Sequence, residues 1–172
     1  MGVPSGYTSA QVVQAVPVPK GIVQVVSTTK TDTFTMSSTT YADVTGLSVS
    51  ITPTSASNKI YVVASINFNG DAGVNGSAAQ LVRGSTAIGI GDAAGSRTQA
   101  SIGGVQGADD DYPGSGSLTF LDSPATTSAT TYKIQVKSSA AGTTYVNRGL
   151  ADSNAVQTFR YVSTITVMEV IV

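Results

Sequence analysis

The chain of 172 residues contains no cysteine, no histidine and no tryptophan. Without cysteine, disulfides and thiolate metal sites are excluded. Histidine is the commonest general base and the commonest metal ligand, so its absence removes both of these roles. A catalytic site normally depends on groups whose pKa values are tuned by their surroundings, and this sequence is poor in such groups. We therefore expect a protein that is not an enzyme and that carries no cofactor.

Charged residues are also scarce, at 11% of the chain against the usual quarter. The net charge is −1, so there is no basic excess to neutralise phosphates, and nucleic acid is not an expected partner. No long apolar run and no charged segment ahead of one is present, so neither a membrane span nor a signal peptide is expected. Serine and threonine are abundant instead, with 22 and 23 occurrences. A surface of hydroxyls and small residues suits a protein held in a larger assembly.

Apolar residues recur with a period of two in several short segments that are separated by turn residues. Leu47, Val49 and Ile51 share one face in this way, which is the mark of a half-buried strand. Residues 59–68 form the most apolar segment and predict a central strand buried on both faces. Further strands are predicted over residues 22–27, 31–36, 79–83, 86–90, 117–121, 132–137, 143–148 and 161–172. About nine to eleven strands at this spacing, with no helical period, predict an all-β sandwich or barrel.

The sequence divides into an arm, residues 1–20, and a single β domain, residues 21–172. The arm has no charged residue before Lys20 and contains three prolines. Proline fixes φ and removes a backbone donor, so we expect an extended arm and not a helix or a central strand. The apolar residues of the arm cluster late, at Val12, Val13, Val16 and Val18. These valines are candidate partner-binding residues that dock on a neighbouring subunit, with a frayed terminus or an edge strand as the open alternative.

The densest charge cluster consists of Asp109, Asp110 and Asp111. Three adjacent carboxylates repel one another, and a hard cation such as Ca²⁺ is held by oxygen ligands, so they are a weak candidate metal site. Their spacing is not that of an EF-hand loop. A solvated acidic loop is the favoured interpretation, and contact with basic residues of a neighbouring subunit is a further alternative.

The tyrosines are candidates for contact with partners, because exposed aromatic side chains bind glycans and proteins. Tyr61, Tyr132 and Tyr161 lie in strand patterns and are expected to pack within the domain. Tyr112 follows the acidic loop and is the one tyrosine that we expect to contact something outside the domain.

Six strand-rich segments together carry a resemblance, namely residues 44–53, 59–68, 79–84, 116–124, 131–138 and 163–170. They resemble virion structural proteins of tailed bacteriophages, of the capsid decoration, cement or tail-fibre type. The same strand order is similar to the trimeric jelly rolls of tumour-necrosis-factor-like heads. The resemblance implies an antiparallel β-sandwich of jelly-roll type, a homotrimer, and a place in the virion, which is assembled in the cytoplasm of the host bacterium.

For function, the resemblance implies a capsid decoration or cement protein that binds the assembled phage head through its arm and the base of the trimer. Its partners would be the major capsid protein or other virion proteins, with no nucleic acid and no membrane. A short chain with one body and one apolar arm favours this role over a fibre, which usually needs a longer shaft with repeats or heptads. The alternative is a tail-fibre or receptor-binding head that recognises a host surface glycan or protein. The sequence leaves the head or tail location, the docking partner and the oligomeric state open.

Overall fold

The alternation of apolar and polar residues produces strands throughout the part of the chain that the structure describes. The structure is a computed structural model, and it describes residues 20–71, 76–105, 112–140 and 142–172. These residues form eleven strands and no helix, so the all-β prediction is confirmed. The predicted arm lies outside the described residues except for Lys20.

The bounds of the strands follow most of the predicted segments. In chain order they are β1 (Ile22–Lys30), β2 (Phe34–Met36), β3 (Ala42–Ile51), β4 (Lys59–Gly70), β5 (Ser77–Arg83), β6 (Thr86–Ile88), β7 (Ile102–Val105), β8 (Gly114–Asp122), β9 (Thr130–Ser138), β10 (Thr144–Val146) and β11 (Ser163–Val170). The sequence pattern does not predict β7, because its two central glycines give no alternation. β3 starts earlier than predicted, since a bulge between Asp43 and Ser48 keeps it paired with β9.

The strands form two antiparallel sheets. In sheet A the order is β1, β11, β4 and β8, and the short strands β10 and β2 continue along the same edge of β4 that β11 occupies. In sheet B the order is β3, β9 and β5, with β6 and β7 sharing the other edge of β5. From β3 onward the chain passes repeatedly from one sheet to the other. This interleaving confirms an antiparallel β-sandwich of the jelly-roll type.

The hydrophobic core lies between the two sheets and is built from the inward residues of their strands. β4 contributes five buried residues, Ile60, Val62, Ala64, Ile66 and Phe68. Tyr132 on β9 is fully buried, as its strand pattern predicts. Each fully buried valine, isoleucine or phenylalanine side chain of this kind stabilises the fold by about 1.5–3 kcal/mol. The core therefore accounts for one face of each sheet.

β4 is the central strand of sheet A, but over residues 59–68 only one of its faces is buried. Tyr61 and Val63 point away from the core and are partly exposed. The prediction that this strand is buried on both faces is therefore wrong for the single chain, because no described residues form a further layer over sheet A. A near-continuous apolar strand is usually covered on both faces. The residues on the outer face of β4 are therefore as apolar as those of a strand face that is covered by other parts of a protein.

The chain enters and leaves the described domain at the same end of sheet A. β1 and β11 pair in antiparallel fashion, and the Ile171 amide donates a 3.0 Å hydrogen bond to the Gly21 carbonyl. The predicted last strand extends too far, since β11 ends at Val170 and Val172 is 55% exposed. Residues 1–19 therefore join the domain beside its C-terminal residues.

Gly116 allows β8 of sheet A to approach β7 of sheet B. A Cβ atom at this position would lie 2.5 Å from Ile102 Cγ2, so no larger residue fits without displacement of Ile102. The sandwich is closed on this side by a contact that only glycine permits.

Candidate interaction surfaces

Rows of paired residues cross the outer face of sheet A, and one of these rows is apolar from edge to edge. Val25 on β1 lies opposite Met168 on β11, and Met168 lies opposite Tyr61 on β4. Tyr61 in turn lies opposite Leu121 on β8. Residues that are paired across strands point to the same face, so the four side chains form one continuous stripe.

The stripe belongs to a cluster of exposed aliphatic side chains at the end of sheet A where the chain enters and leaves. We call this cluster the aliphatic end. Its exposed members are Ile22, Val23, Val25, Leu121 and Val172. Val25 and Leu121 are 57% and 50% exposed, although both are large and apolar. Contiguous exposed apolar groups of this kind mark sites of interaction.

Hydroxyl groups occupy the middle of the same face. The next row towards the other end contains Ser27, Thr166, Val63 and Thr119, and the one after it contains Thr29, Thr164, Ser65 and Ser117. Ser27 Oγ and Thr166 Oγ1 are hydrogen bonded at 2.8 Å. Among the outward residues of β1, β11, β4 and β8, the single charged side chain is Lys59, at the rim, where its Nζ donates to Ser123 Oγ at 2.7 Å. The part of the face formed by these four strands is therefore almost free of charge. Charged groups lie beyond it, where Arg148 and Asp71 contact Tyr145 on β10.

The outer face of sheet B has the opposite character. Lys133 Nζ forms a 2.8 Å salt bridge with Asp43, and Gln135 donates a 2.7 Å hydrogen bond to the same carboxylate. Gln80 then donates to Gln135 at 2.7 Å, so charged and amide groups form a chain across the sheet. The hydrogen bonds from Lys133 and Gln135 lower the pKa of Asp43. Sheet B therefore presents the surface of an ordinary solvated sheet, and sheet A does not.

An exposed aromatic cluster lies at the end of sheet A that is opposite the aliphatic end. The ring centroids of Tyr112 and Phe159 are 6.1 Å apart, and those of Phe159 and Tyr161 are 6.4 Å apart. Tyr112 is 44% exposed and Phe159 is 48% exposed. Tyr112 precedes β8 and the other two precede β11, which brings two separate loops together. These spacings are typical of favourable aromatic pairs.

The sequence predicts only part of this aromatic cluster. Tyr112 is exposed, and its role in contact with a partner stays a prediction. Tyr161 was expected to pack in a strand, but it lies before β11 and is only partly buried. Phe159 is not predicted at all, because a single aromatic residue in a loop has no pattern around it. Phe159 belongs to the cluster because it lies close to Tyr112 in space, and the sequence does not indicate this proximity.

A buried carboxylate lies beneath the aliphatic end. Glu169 on β11 points inward and is fully buried, and no basic side chain of the described residues pairs with it. It accepts hydrogen bonds from Gln24 Nε2 at 2.5 Å, from Asn58 Nδ2 at 2.6 Å, and from the amide and hydroxyl of Thr54 at 2.7 and 2.8 Å. Burial alone would raise the pKa of Glu169, but these hydrogen bonds outweigh it and lower the pKa to about 2. We call this arrangement the Glu169 clasp, and it ties the β3–β4 loop to β1 and β11.

A second buried group joins the two sheets near the same end. Arg83 Nη1 on β5 contacts both carboxylate oxygens of Asp122, at 2.8 and 2.9 Å. The Tyr132 hydroxyl on β9 donates to Asp122 at 2.6 Å, and burial together with this carboxylate raises the pKa of the phenol. Since Asp122 ends β8, the group fixes the edge strand of sheet A to sheet B.

A third buried polar group, Asn147, lies at the end of sheet A with the aromatic cluster. It is fully buried and adopts a positive φ of 61°, which asparagine tolerates better than most residues. Its Nδ2 donates to the carbonyls of Lys30 and Asp32 at 2.9 and 3.0 Å. Its Oδ1 accepts a 2.7 Å hydrogen bond from Ser163 Oγ. The start of the loop that carries Phe159 is thereby held against β1 and β11.

The other predicted site residues lie outside the described residues. These are Val12, Val13, Val16 and Val18 of the arm and the acidic run Asp109, Asp110 and Asp111. Within the described ranges, no three His, Cys, Asp or Glu side chains are grouped so that they could hold a metal ion. The same part of the chain contains no helix with the length and apolar character needed to cross a membrane.

Comparison of the chain with protein-family models and with curated proteins finds no match in either set.

Proposed function

We propose that this protein is a non-enzymatic structural component of a tailed-bacteriophage virion, namely a homotrimeric capsid decoration or cement protein. The observation that carries the proposal is the outer face of β1, β11, β4 and β8 in sheet A, which combines exposed aliphatic residues with hydroxyls and has one charged side chain at its rim. A soluble monomer rarely leaves such a face uncovered. The jelly-roll fold and the resemblance of the strand segments to phage structural proteins support the virion as its setting.

In this proposal the arm attaches the domain to the phage head. The arm, residues 1–20, joins the domain at Gly21, directly beside the aliphatic end. Valines in an extended, uncharged segment contribute apolar contact and backbone pairing to a neighbouring capsid subunit. Attachment of this kind depends little on charge, so it should be insensitive to moderate salt.

The experiment is to locate and count the protein in purified particles, using immunogold labelling and quantitative mass spectrometry. We expect many copies spread over the head. A variant that lacks residues 1–19 should give the strand-rich circular dichroism of the full chain but should be missing from particles. Normal occupancy of the head by the folded deletion variant would contradict attachment through the arm.

The aromatic cluster favours a second candidate function, a receptor-binding head at the tail. Three adjacent rings, two of them nearly half exposed, are a suitable surface for a host glycan or protein. This function predicts a few copies at the tail and specific binding of the isolated protein to host cells. Binding should be lost in Tyr112→Ala and Phe159→Ala but retained in Val156→Ala, a residue of the same loop that is 96% exposed and outside the ring contacts.

A further inference from the structure

We propose that the outer face of sheet A binds further copies of this chain, with like ends together around an axis that runs along the strands. The inference rests on the proposed function for the number of copies, three, and for the role of the arm. It goes further by naming the surface, its occupant and the direction in which the copies are arranged.

The charge distribution identifies a second copy as the occupant. The part of this face formed by β1, β11, β4 and β8 offers one ammonium group, on Lys59 at the rim, and no carboxylate among its outward residues. A charged partner would leave its own charges desolvated and unpaired against such a surface, which is unfavourable. An apolar and hydroxyl-bearing partner surface meets no such penalty. Among the described residues the two outer faces differ sharply, and the face that fulfils this condition is the outer face of sheet A itself.

The size of the face is adequate for a stable contact. β1 and β8, at its two edges, each have nine residues. With a rise of about 3.3 Å per residue and about 4.8 Å between strands, four strands present on the order of 600 Å² in projection. The accessible surface of protruding side chains exceeds this projection. The accessible surface of the face therefore approaches the roughly 800 Å² per partner that a standard interface buries.

The order of groups along the strands sets the direction of the copies. When the axis runs along the strands, each row meets the equivalent row of its neighbour. The aliphatic end then meets aliphatic ends, and the rows with Ser27 and Thr29 meet hydroxyls, each of which can both donate and accept a hydrogen bond. The points where residues 1–19 join the domain, at Gly21, all fall at one end, from which three arms can reach a single shell. An antiparallel pair would place these points at opposite ends.

The mass of the full chain in solution tests the occupant. Light scattering after size exclusion should give three times the chain mass of 17.4 kDa. Thr119→Asp and Leu121→Asp insert a charge into the face and should each give a single chain with unchanged circular dichroism. Ser48→Asp is the matched control, because Ser48 is exposed on the outer face of sheet B, and it should stay trimeric. A wild-type monomer, or trimers in both folded face variants, would overturn the inference.

Cysteine cross-linking tests the direction in which the copies are arranged. The chain has no cysteine of its own, so each variant carries a single reactive thiol. Leu121→Cys at the aliphatic end and Val162→Cys near the aromatic cluster are each treated with a short bifunctional thiol reagent. Each variant alone should form cross-linked chains, and a mixture of the two variants refolded together should form no product that joins one variant to the other. A mixed product would overturn the proposed direction. Absence of the protein from phage heads would refute the proposed function but would leave the solution mass and these cross-links unchanged, so the two failures are distinguishable.

Discussion

Removal of the charge on Glu169, by acid or by substitution, should destabilise the fold by an amount that the structure allows us to work out. The carboxylate is fully buried and accepts four hydrogen bonds from neutral donors on Gln24, Thr54 and Asn58. Protonation turns one of its oxygens into a donor that faces other donors. The hydrogen bonds therefore stabilise the ionised form, and this is why the pKa is lowered.

The size of the effect follows from linkage between proton binding and folding. The pKa falls from 4.5 to about 2 on folding, and one pKa unit corresponds to about 1.4 kcal/mol, so the ionised clasp contributes about 3–4 kcal/mol. Because the pKa in the folded state is the lower one, this contribution is present above pH 4.5. It is lost progressively as the pH falls towards 2. It is a large part of the 5–15 kcal/mol typical of a domain.

Urea unfolding at a series of pH values and a fixed protein concentration measures the effect. We expect Glu169→Gln to lower the free energy of unfolding by about 2–4 kcal/mol at neutral pH, since its amide group places a donor among donors. The difference from the wild type should shrink as the pH falls through this range. Asp43→Asn is the control, because its carboxylate is exposed on sheet B and its loss should cost less than about 1 kcal/mol. A difference between wild type and Glu169→Gln that stays constant down to pH 2 would refute the reasoning.

Three further substitutions test the internal contacts. Gly116→Val should lower the free energy of unfolding by about 1–3 kcal/mol through overlap with Ile102, whereas Gly91→Ala, which has open space around it, should be nearly neutral in the same chemical denaturation assay. Asn147→Ala should cost about 2–4 kcal/mol in thermal and urea unfolding, because the buried Lys30 carbonyl and the partly buried Asp32 carbonyl lose their donor and the positive φ becomes unfavourable; an unchanged midpoint would contradict its role. Tyr132→Phe should cost about 1–3 kcal/mol, since the carboxylate that ends β8 loses a 2.6 Å hydrogen bond, and equal stability of the two proteins would show that this bond contributes nothing.

Much of the fold could be predicted from the sequence because strand formation leaves a local signal. The period of two in β3 and β4 and the absence of a helical period were sufficient to predict an all-β sandwich. The inward positions of β4 and the burial of Tyr132 follow from the same alternation. β7 escaped prediction since two glycines in four residues carry no pattern.

The candidate surfaces could not be predicted, because they depend on which strands lie side by side. The row from Val25 through Met168 and Tyr61 to Leu121 exists only once β1, β11, β4 and β8 are in register. Alternation within one strand predicts which side of the sheet each residue lies on, but it does not predict the residue's partner on the neighbouring strand. The sequence nevertheless gives one indication that the outer face of sheet A is an interaction surface. Residues 59–68 are apolar enough for burial on both faces, and the single chain buries only one.

The antiparallel pairing of β1 with β11 has a mechanical consequence. Tension applied between the segment ahead of Gly21 and the residues after Val170 would load the hydrogen bonds of this pair one after another, starting at the Gly21–Ile171 bond. A pair opened in this way resists force less than one in which all bonds are sheared together. The contact between Gln24 and Glu169 lies at the end of the β1–β11 pair that opens first. The hydrogen bond between Gln24 and Glu169 should therefore be among the first to break under this tension.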